Sequence, residues 1–564
     1  LALAWVGFGA TYCKTPEGPT VVKGDETGAG ADSSLEGSMA QFLEQFEQDS
    51  RTAMNQHVVK RNAQGQEVTP WREADRQDAN YSQQRRDAQL EVICFAGLNA
   101  PQVQQQGIDA ECKEFLKKVG QAEQNDDLVQ RVAGLPTAQA GAQAPIELYN
   151  DNPARLIDNG STMVQTLEDM EAKSLKKAAL AVTPWSDYYW ATYKGFLGYR
   201  YTDPNFPDSD RFKDNYDYAL KNRLRDVVAS GDQTAIDNLS PGEKYDLLLG
   251  GLSGLGGQSS GHLTSRMWAS ANRYADAQGN VETWMGLCHG WAPAAYMMAR
   301  PAQTIKVRDQ SNRFDINFYP SDIKALSTTL WANGRSGGTR FIGGRCNSKD
   351  PETDASGRIR DQECFDNNPG SWHMAVINQI GVAKRSFVMD ATYDYQVWNQ
   401  PVYSYEYKYF NPQTLKPSAN LQGGRVALPF AGDKFASYRS PNAKYVVGVG
   451  MRVSYIVETG PSHSASDSPA DDAITSADYR YDLELDANGK IIGGEWYQNE
   501  HPDFLWTFPP NQTLRTSGDA YASGTWDGKS PLPSSWIKGA KQDARYSIPM
   551  GKIVYALTAR SAQP

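Results

Sequence analysis

The chain changes texture at Thr183-Pro184-Trp185, and this break limits what the chain can fold into. Residues 36–183 are rich in Gln, Glu, Asp, Arg and Ala, with few large apolar residues. Within them, SMAQFLEQFEQDSRTAMNQ sets Met39, Phe42, Phe46 and Met54 near helical spacing, which predicts an amphipathic helix. Further helical stretches are expected at Leu90–Leu98, Phe115–Val119 and Met163–Leu180. Beyond the break, SDYYWATYKGFLGYRYTDPNFPDSDRF is dense in aromatics and turn residues. With 564 residues the chain is too long for one core, so several parts are expected. They are a leader and linker at 1–35, a helical N-terminal region at 36–183, a catalytic domain at 184–460 and a β-rich C-terminal part at 461–564. The helical region is either a structural domain or a removable pro-segment that covers a catalytic site, and its composition does not decide between them.

Acidic residues outnumber basic ones, 66 to 56, so the net charge of −10 disfavours a nucleic-acid partner. No apolar run approaches the roughly 20 residues of an integral membrane span. Leu1–Ala10 (LALAWVGFGA) reads as the apolar core of a signal peptide. Cys13 follows it, and the segment is either a lipid-anchored start or a simple cleaved or tethered leader. The six cysteines include two closely spaced pairs, Cys94 with Cys112 and Cys346 with Cys364. Such pairs point to disulfides and to a secreted or cell-surface protein. Reduced thiols in a cytosolic protein are the alternative. Cys288 is expected to be free.

The local signals are mixed α and β. Ser240-Pro241 with Glu243 is a capping-box helix start. Ala375–Ile380, Ser386–Met389, Tyr403–Tyr409 and Tyr445–Val457 read as strands. Asn488-Gly489 marks a hairpin turn.

The chemistry centres on Cys288, in WMGLCHGWAPAAYMM. Gly286 and Gly290 flank it and allow close backbone approach. Ala294–Arg300 is helix-forming, and Pro293 fits that helix's first turn. Cys288 is therefore expected at a helix N-terminus, where dipole and N–H groups favour a thiolate and could hold an oxyanion. A nucleophilic thiol needs a base and an orienting acid. Among six histidines, His373 is the best candidate, at the entry to an expected strand. Asp390 ends the next expected strand, and a turn around Gly381 would bring it beside His373. The order Cys288, His373, Asp390 matches papain and transglutaminase chemistry. Asp394 could substitute for Asp390. Metal signals are weak: Asp203, Asp208 and Asp210 could loosely hold calcium.

Gln396-Val397-Trp398-Asn399-Gln400-Pro401-Val402 resembles the VWNQPV core of the oomycete transglutaminase elicitors and their bacterial relatives. The Cys288–Pro293 block, Gly370–His373 and GGEWY at Gly493–Tyr497 resemble the same family. The resemblance implies an α+β protein with a papain-like catalytic core. It implies a protein-glutamine γ-glutamyltransferase that joins Gln and Lys side chains of protein substrates through a Cys288 thioester, with His373 as base and Asp390 as orienter. A cysteine peptidase or protein glutamine deamidase with the same triad is the alternative. No cofactor is needed for the chemistry, and calcium responsiveness comes with the family. Val397–Val402 would then be a surface strand and loop, with Pro401 suiting an edge strand. The elicitor-like match ends at Tyr403-Ser404-Tyr405.

Overall fold

The computed structural model describes Met54 and residues 151–563, apart from short stretches at 251–261, 277, 335–337, 347–358, 360–363, 365–366, 393–394 and 498–500. The leader, Cys13, the Cys94–Cys112 pair, His57, Asp394 and most of the expected helical region lie outside the described residues.

The fold mixes helices with an antiparallel sheet. Its strands are β1 (Lys177–Ala179), β2 (Ile305–Arg308), β3 (Asp315–Phe318), β4 (Arg340–Gly343), β5 (Val388–Asp390), β6 (Asn399–Phe410), β7 (Pro417–Ser418), β8 (Arg425–Ala427), β9 (Tyr445–Val457), β10 (Ala473–Leu485), β11 (Ile491–Trp496) and β12 (Phe504–Thr507). The main sheet runs β11-β10-β9-β6-β5-β12-β4, with β1 and β7 on β6 and β8 on β9, while β2 and β3 form a separate hairpin. The β10–β11 turn carries Gly489 at φ 78°, a backbone state that favours glycine, so the Asn488-Gly489 signal is matched. β9 spans Tyr445–Val457, the residues expected to form that strand. The sheet runs across both expected boundaries: β1 lies before residue 183, and β10–β12 lie after residue 460. Asp158, also upstream of 183, is held by Arg385 at 2.6 Å and by Arg340.

The sheet has two differently covered faces because successive strand residues point to opposite sides. Val388, Phe504 and Trp506 face one core, while Met389, Leu505 and Ile342 face the other. A bulge between Val402 and Ser404 shifts the register of β6 against β9, after which Tyr405, Tyr407 and Tyr409 all face the second core.

Five helices matter for the site. They are α1 (Pro241–Leu248), α2 (Leu263–Asn272), α3 (Cys288–Met297), α4 (Pro320–Asn333) and α5 (Pro369–Val376). α1 starts with the expected capping box: Ser240 Oγ accepts from the Glu243 N–H, and the Glu243 carboxylate accepts from the Ser240 N–H. α5 corrects a sequence expectation. Ala375–Ile380 is not a strand but the end of α5, which continues as a π-helical turn at Ile377–Val382. Asn368 caps α5 by accepting from the Gly370 N–H, and Pro369 fills its first position. Every residue of α5 is buried, so the sequence shows a continuous apolar run that a buried strand would also show. Met163–Leu180 is likewise not one helix: it holds the helix Leu167–Ala172 and then β1.

Cys346 and Cys364 form a disulfide, as expected, and Cys288 is free. No helix among the described residues is long and apolar enough to cross a membrane.

Candidate active site

Cys288 is the first residue of α3, as its helix-terminal reading requires, but the reason differs from the expected one. Pro293 lies inside the helix rather than in its first turn. The two flanking glycines serve packing. A Cβ on Gly290 would stand 2.1 Å from the Thr328 carbonyl oxygen of α4, and one on Gly286 would stand 2.4 Å from the Tyr189 carbonyl oxygen. These close approaches fix where α3 begins, and so where the thiol lies.

The thiol lies against the start of β6. Cys288 Sγ donates to the Val397 carbonyl at 3.6 Å, and Asn399 Nδ2 donates to Sγ at 3.5 Å. Trp506 Nε1 donates to Asn399 Oδ1 at 2.8 Å, which fixes the amide with its N–H₂ toward the sulfur. Asp390 is directly opposite Asn399 in the β5–β6 register, so the two side chains share a face. One oxygen of Asp390, Oδ1, accepts from the Trp398 N–H at 2.9 Å and from Thr392 Oγ1 at 2.8 Å. The other, Oδ2, is buried with no partner among the described residues.

The residues recognised as elicitor-like therefore build the wall of the thiol site. Val397, Asn399, Gln400, Pro401 and Val402 are buried and Trp398 is half-buried, which corrects the expected surface loop. β6 is a central strand. Its register with β9 begins at Val402, so Pro401, which cannot donate, pairs only with Val388 of β5. The sequence signal that could have pointed to Asn399 was the VWNQPV match itself, which carries no chemical label.

The structure does not bring His373 to Cys288. His373 lies on α5, against the opposite face of the sheet. Its Nδ1 is 2.8 Å from the Tyr481 hydroxyl, and its ring stands edge-on to Tyr407, 4.8 Å between centroids. Tyr407 and Tyr481 belong to the second core, whereas Cys288 belongs to the first. The expected approach of Asp390 to His373 depended on a strand that is in fact helix. Burial pushes the His373 ring down to about 3, so it is neutral near pH 7.

The electrostatics around the sulfur are those of a closed, water-poor site. Burial pushes the Cys288 thiol up to about 12 against the lowering effect of the Asn399 bond, and the charges of Glu458 and Asp390 add to the rise. Burial also raises Asp390 to about 7 and Glu458 to about 7, with Gln400 Nε2 donating to Glu458 at 2.9 Å. The expected thiolate is thus a neutral thiol here, with two carboxyl groups that titrate near neutrality in its field.

Asp203 and Asp208 do not fit a calcium site. Asp203 accepts from the Tyr218 hydroxyl and pairs with Arg200, and Asp208 is paired with Lys194. Among the described residues no group of three or more His, Cys, Asp or Glu gathers as a metal site.

The site is centred on a buried free cysteine at a helix start, held by a strand amide and in the field of a carboxyl group. The family model described as "Transglutaminase elicitor" matches residues 159–523, and the chain belongs to that family. In structure it is similar to the GP42 transglutaminase from Phytophthora sojae, at 23% identity and a TM-score of 0.37, covering 68% of this chain and 94% of that one. No curated protein matches the chain in sequence.

Proposed function

We propose that the protein is a protein-glutamine γ-glutamyltransferase that works through Cys288. The observation that carries this reading is the Asn399 amide donating to a free, buried thiol at the start of α3, in a chain of this family. A cysteine-headed helix packed on an antiparallel sheet supports a papain-like core. Cys288 Sγ attacks the Cδ of a substrate glutamine while its proton passes to the Asp390 carboxylate. Asn399 Nδ2 donates to the oxyanion that forms. Collapse returns the proton to the departing ammonia and leaves a thioester. A lysine amine then attacks the thioester carbon, the amine's proton returns to the thiol, and an isopeptide bond remains. Asp390 titrates where a group that both takes and gives a proton works best. Glu458 is the second carboxyl group in reach of this field. The disulfide supports export to an oxidising compartment.

The test is uptake of a fluorescent primary amine into a glutamine-rich protein, with and without removal of residues 1–150, a cut that leaves Asp158 and β1 in place. Uptake that vanishes in Cys288→Ala is expected. Uptake that persists in Cys288→Ala would sink the reading. Release of ammonia without amine uptake would transfer it to the deamidase alternative, in which water reaches the thioester.

A further inference from the structure

Met54 stands far from the described body in sequence and yet is built into its core. It is 1% exposed and packs in the same core as Cys288, Val397 and Trp506. Its sulfur accepts from Asn399 Nδ2 at 3.5 Å, the same nitrogen that donates to Cys288 Sγ at 3.5 Å. One primary amide has two hydrogens, and here one serves each sulfur. The amide is aimed by Trp506 and is not free to turn away.

Methionine and glutamine side chains have the same unbranched reach. Each has two methylenes, followed by Sδ in methionine and by the carboxamide carbon Cδ in glutamine. Methionine sulfur is a weak acceptor, so a donor placed for the glutamine carboxamide oxygen finds a substitute in it. A methionine whose sulfur lies beside the nucleophile, and under the donor assigned to the oxyanion, has the placement of a bound glutamine that cannot react. It has no leaving ammonia and no carbonyl.

We propose that Met54 occupies the acyl-donor subsite of Cys288 as an unreactive stand-in for a substrate glutamine, closing the site in the full chain. The inference rests on the glutamine-transfer reading above. It narrows the pro-segment alternative to the part of the chain that carries Met54, since residues from 151 onward belong to the folded body. Cys288 is only 3% exposed with Met54 in place, and on this proposal a substrate side chain reaches it once Met54 has left.

Three substitutions in the full chain test this. In Met54→Gln the stand-in becomes a reactive donor. Cys288 Sγ would displace ammonia from the introduced carboxamide, and an added fluorescent primary amine would then displace the sulfur, leaving the amine on residue 54 as a secondary amide. Peptide mapping is expected to find the label at position 54 and none when Cys288→Ala is added. Misfolding cannot produce that result, because it needs a working thiol.

Met54→Ala is expected to speed alkylation of Cys288 by iodoacetamide at least about tenfold, read on the Cys288 peptide, while Met54→Leu keeps the bulk and the slow rate. An unlabelled position 54 in a Met54→Gln chain that labels an added glutamine protein would overturn the inference, as would equal alkylation rates in the Met54→Ala and wild-type chains. Faster alkylation in Met54→Ala without amine uptake in any form would keep Met54 as the plug and defeat the transferase reading instead.

Discussion

At the residue scale, the site separates groups that act on the sulfur from groups that only share its neighbourhood in sequence. Cys288 was legible because the helix-forming run after it places a lone cysteine at a helix start, although the glycines that flank it turn out to serve packing. Asn399 was not, because an asparagine in a strand has no pattern that marks it as a donor to a distant sulfur. Its role appears only once β6 is laid against α3. Asn399→Ala removes the donor assigned to the oxyanion. It is expected to lower kcat for amine uptake by about 10²–10³-fold, with a smaller change in KM. A loss confined to KM would make Asn399 a binding residue only. His373 is the converse case: it satisfied every sequence criterion for a base and lies across the sheet. His373→Ala leaves the buried Tyr481 hydroxyl without its nitrogen partner, so it is expected to destabilise the fold by about 1–3 kcal/mol. Urea unfolding measures that loss. Amine uptake per folded molecule should stay near the wild-type value, and a fall of several orders of magnitude would restore His373 to the chemistry.

At the element scale, turns and caps were readable and buried apolar segments were not. Ser240-Pro241-Gly242-Glu243 and Asn488-Gly489 carry their own local chemistry, so they form as written whatever packs on them. Residues 369–382 carry no such local instruction. A fully buried helix and a fully buried strand show the same unbroken apolar run, and the difference is made by Asn368-Pro369 at its start. Because that element is a helix, His373 lies on α5 and not at a strand entry beside Asp390. α3 depends on a contact that sequence shows only as a glycine. Gly290 lets α3 approach α4 closely enough that an added Cβ would meet Thr328 O at 2.1 Å and the Ala332 Cβ at 2.6 Å. Backbone cannot yield as a flexible side chain can. Gly290→Ala is therefore expected to push α3 off α4, at a cost of about 1–3 kcal/mol in urea unfolding, and to displace the nearby Cys288. A variant of unchanged stability and activity would show that α3 is positioned by something other than this contact.

At the scale of the whole molecule, the fold keeps an unusual set of carboxyl groups away from water. Burial raises Asp187, Asp246, Asp390 and Asp543 from 3.8 to about 7, Glu458 from 4.5 to about 7 and Asp151 from 3.8 to about 8, each held by hydrogen bonds that only partly offset the loss of water. A folded chain that holds these protons where the unfolded chain has released them loses stability as pH rises, until the folded groups ionise as well. Buried histidines act in the opposite direction. Burial lowers His373 to about 3 and lowers His463 and His501 to about 4, so below pH 6.5 the unfolded chain binds protons that these folded rings do not. The two sets oppose each other between about pH 4 and 6.5. Above 6.5 the unfolded histidines lose the rest of their protons within about one pH unit, and the carboxyl groups dominate. Stability is therefore expected to fall between pH 6.5 and 8, by on the order of 4 kcal/mol in total, and to level off once Asp151 has ionised as well. Urea midpoints measured at pH 6.5 and pH 8 check it: the midpoint should be lower at pH 8. A midpoint that rises over this interval would mean that these carboxyl groups are ionised in the folded protein below neutrality, and that Asp390 already carries its charge beside Cys288 at neutral pH.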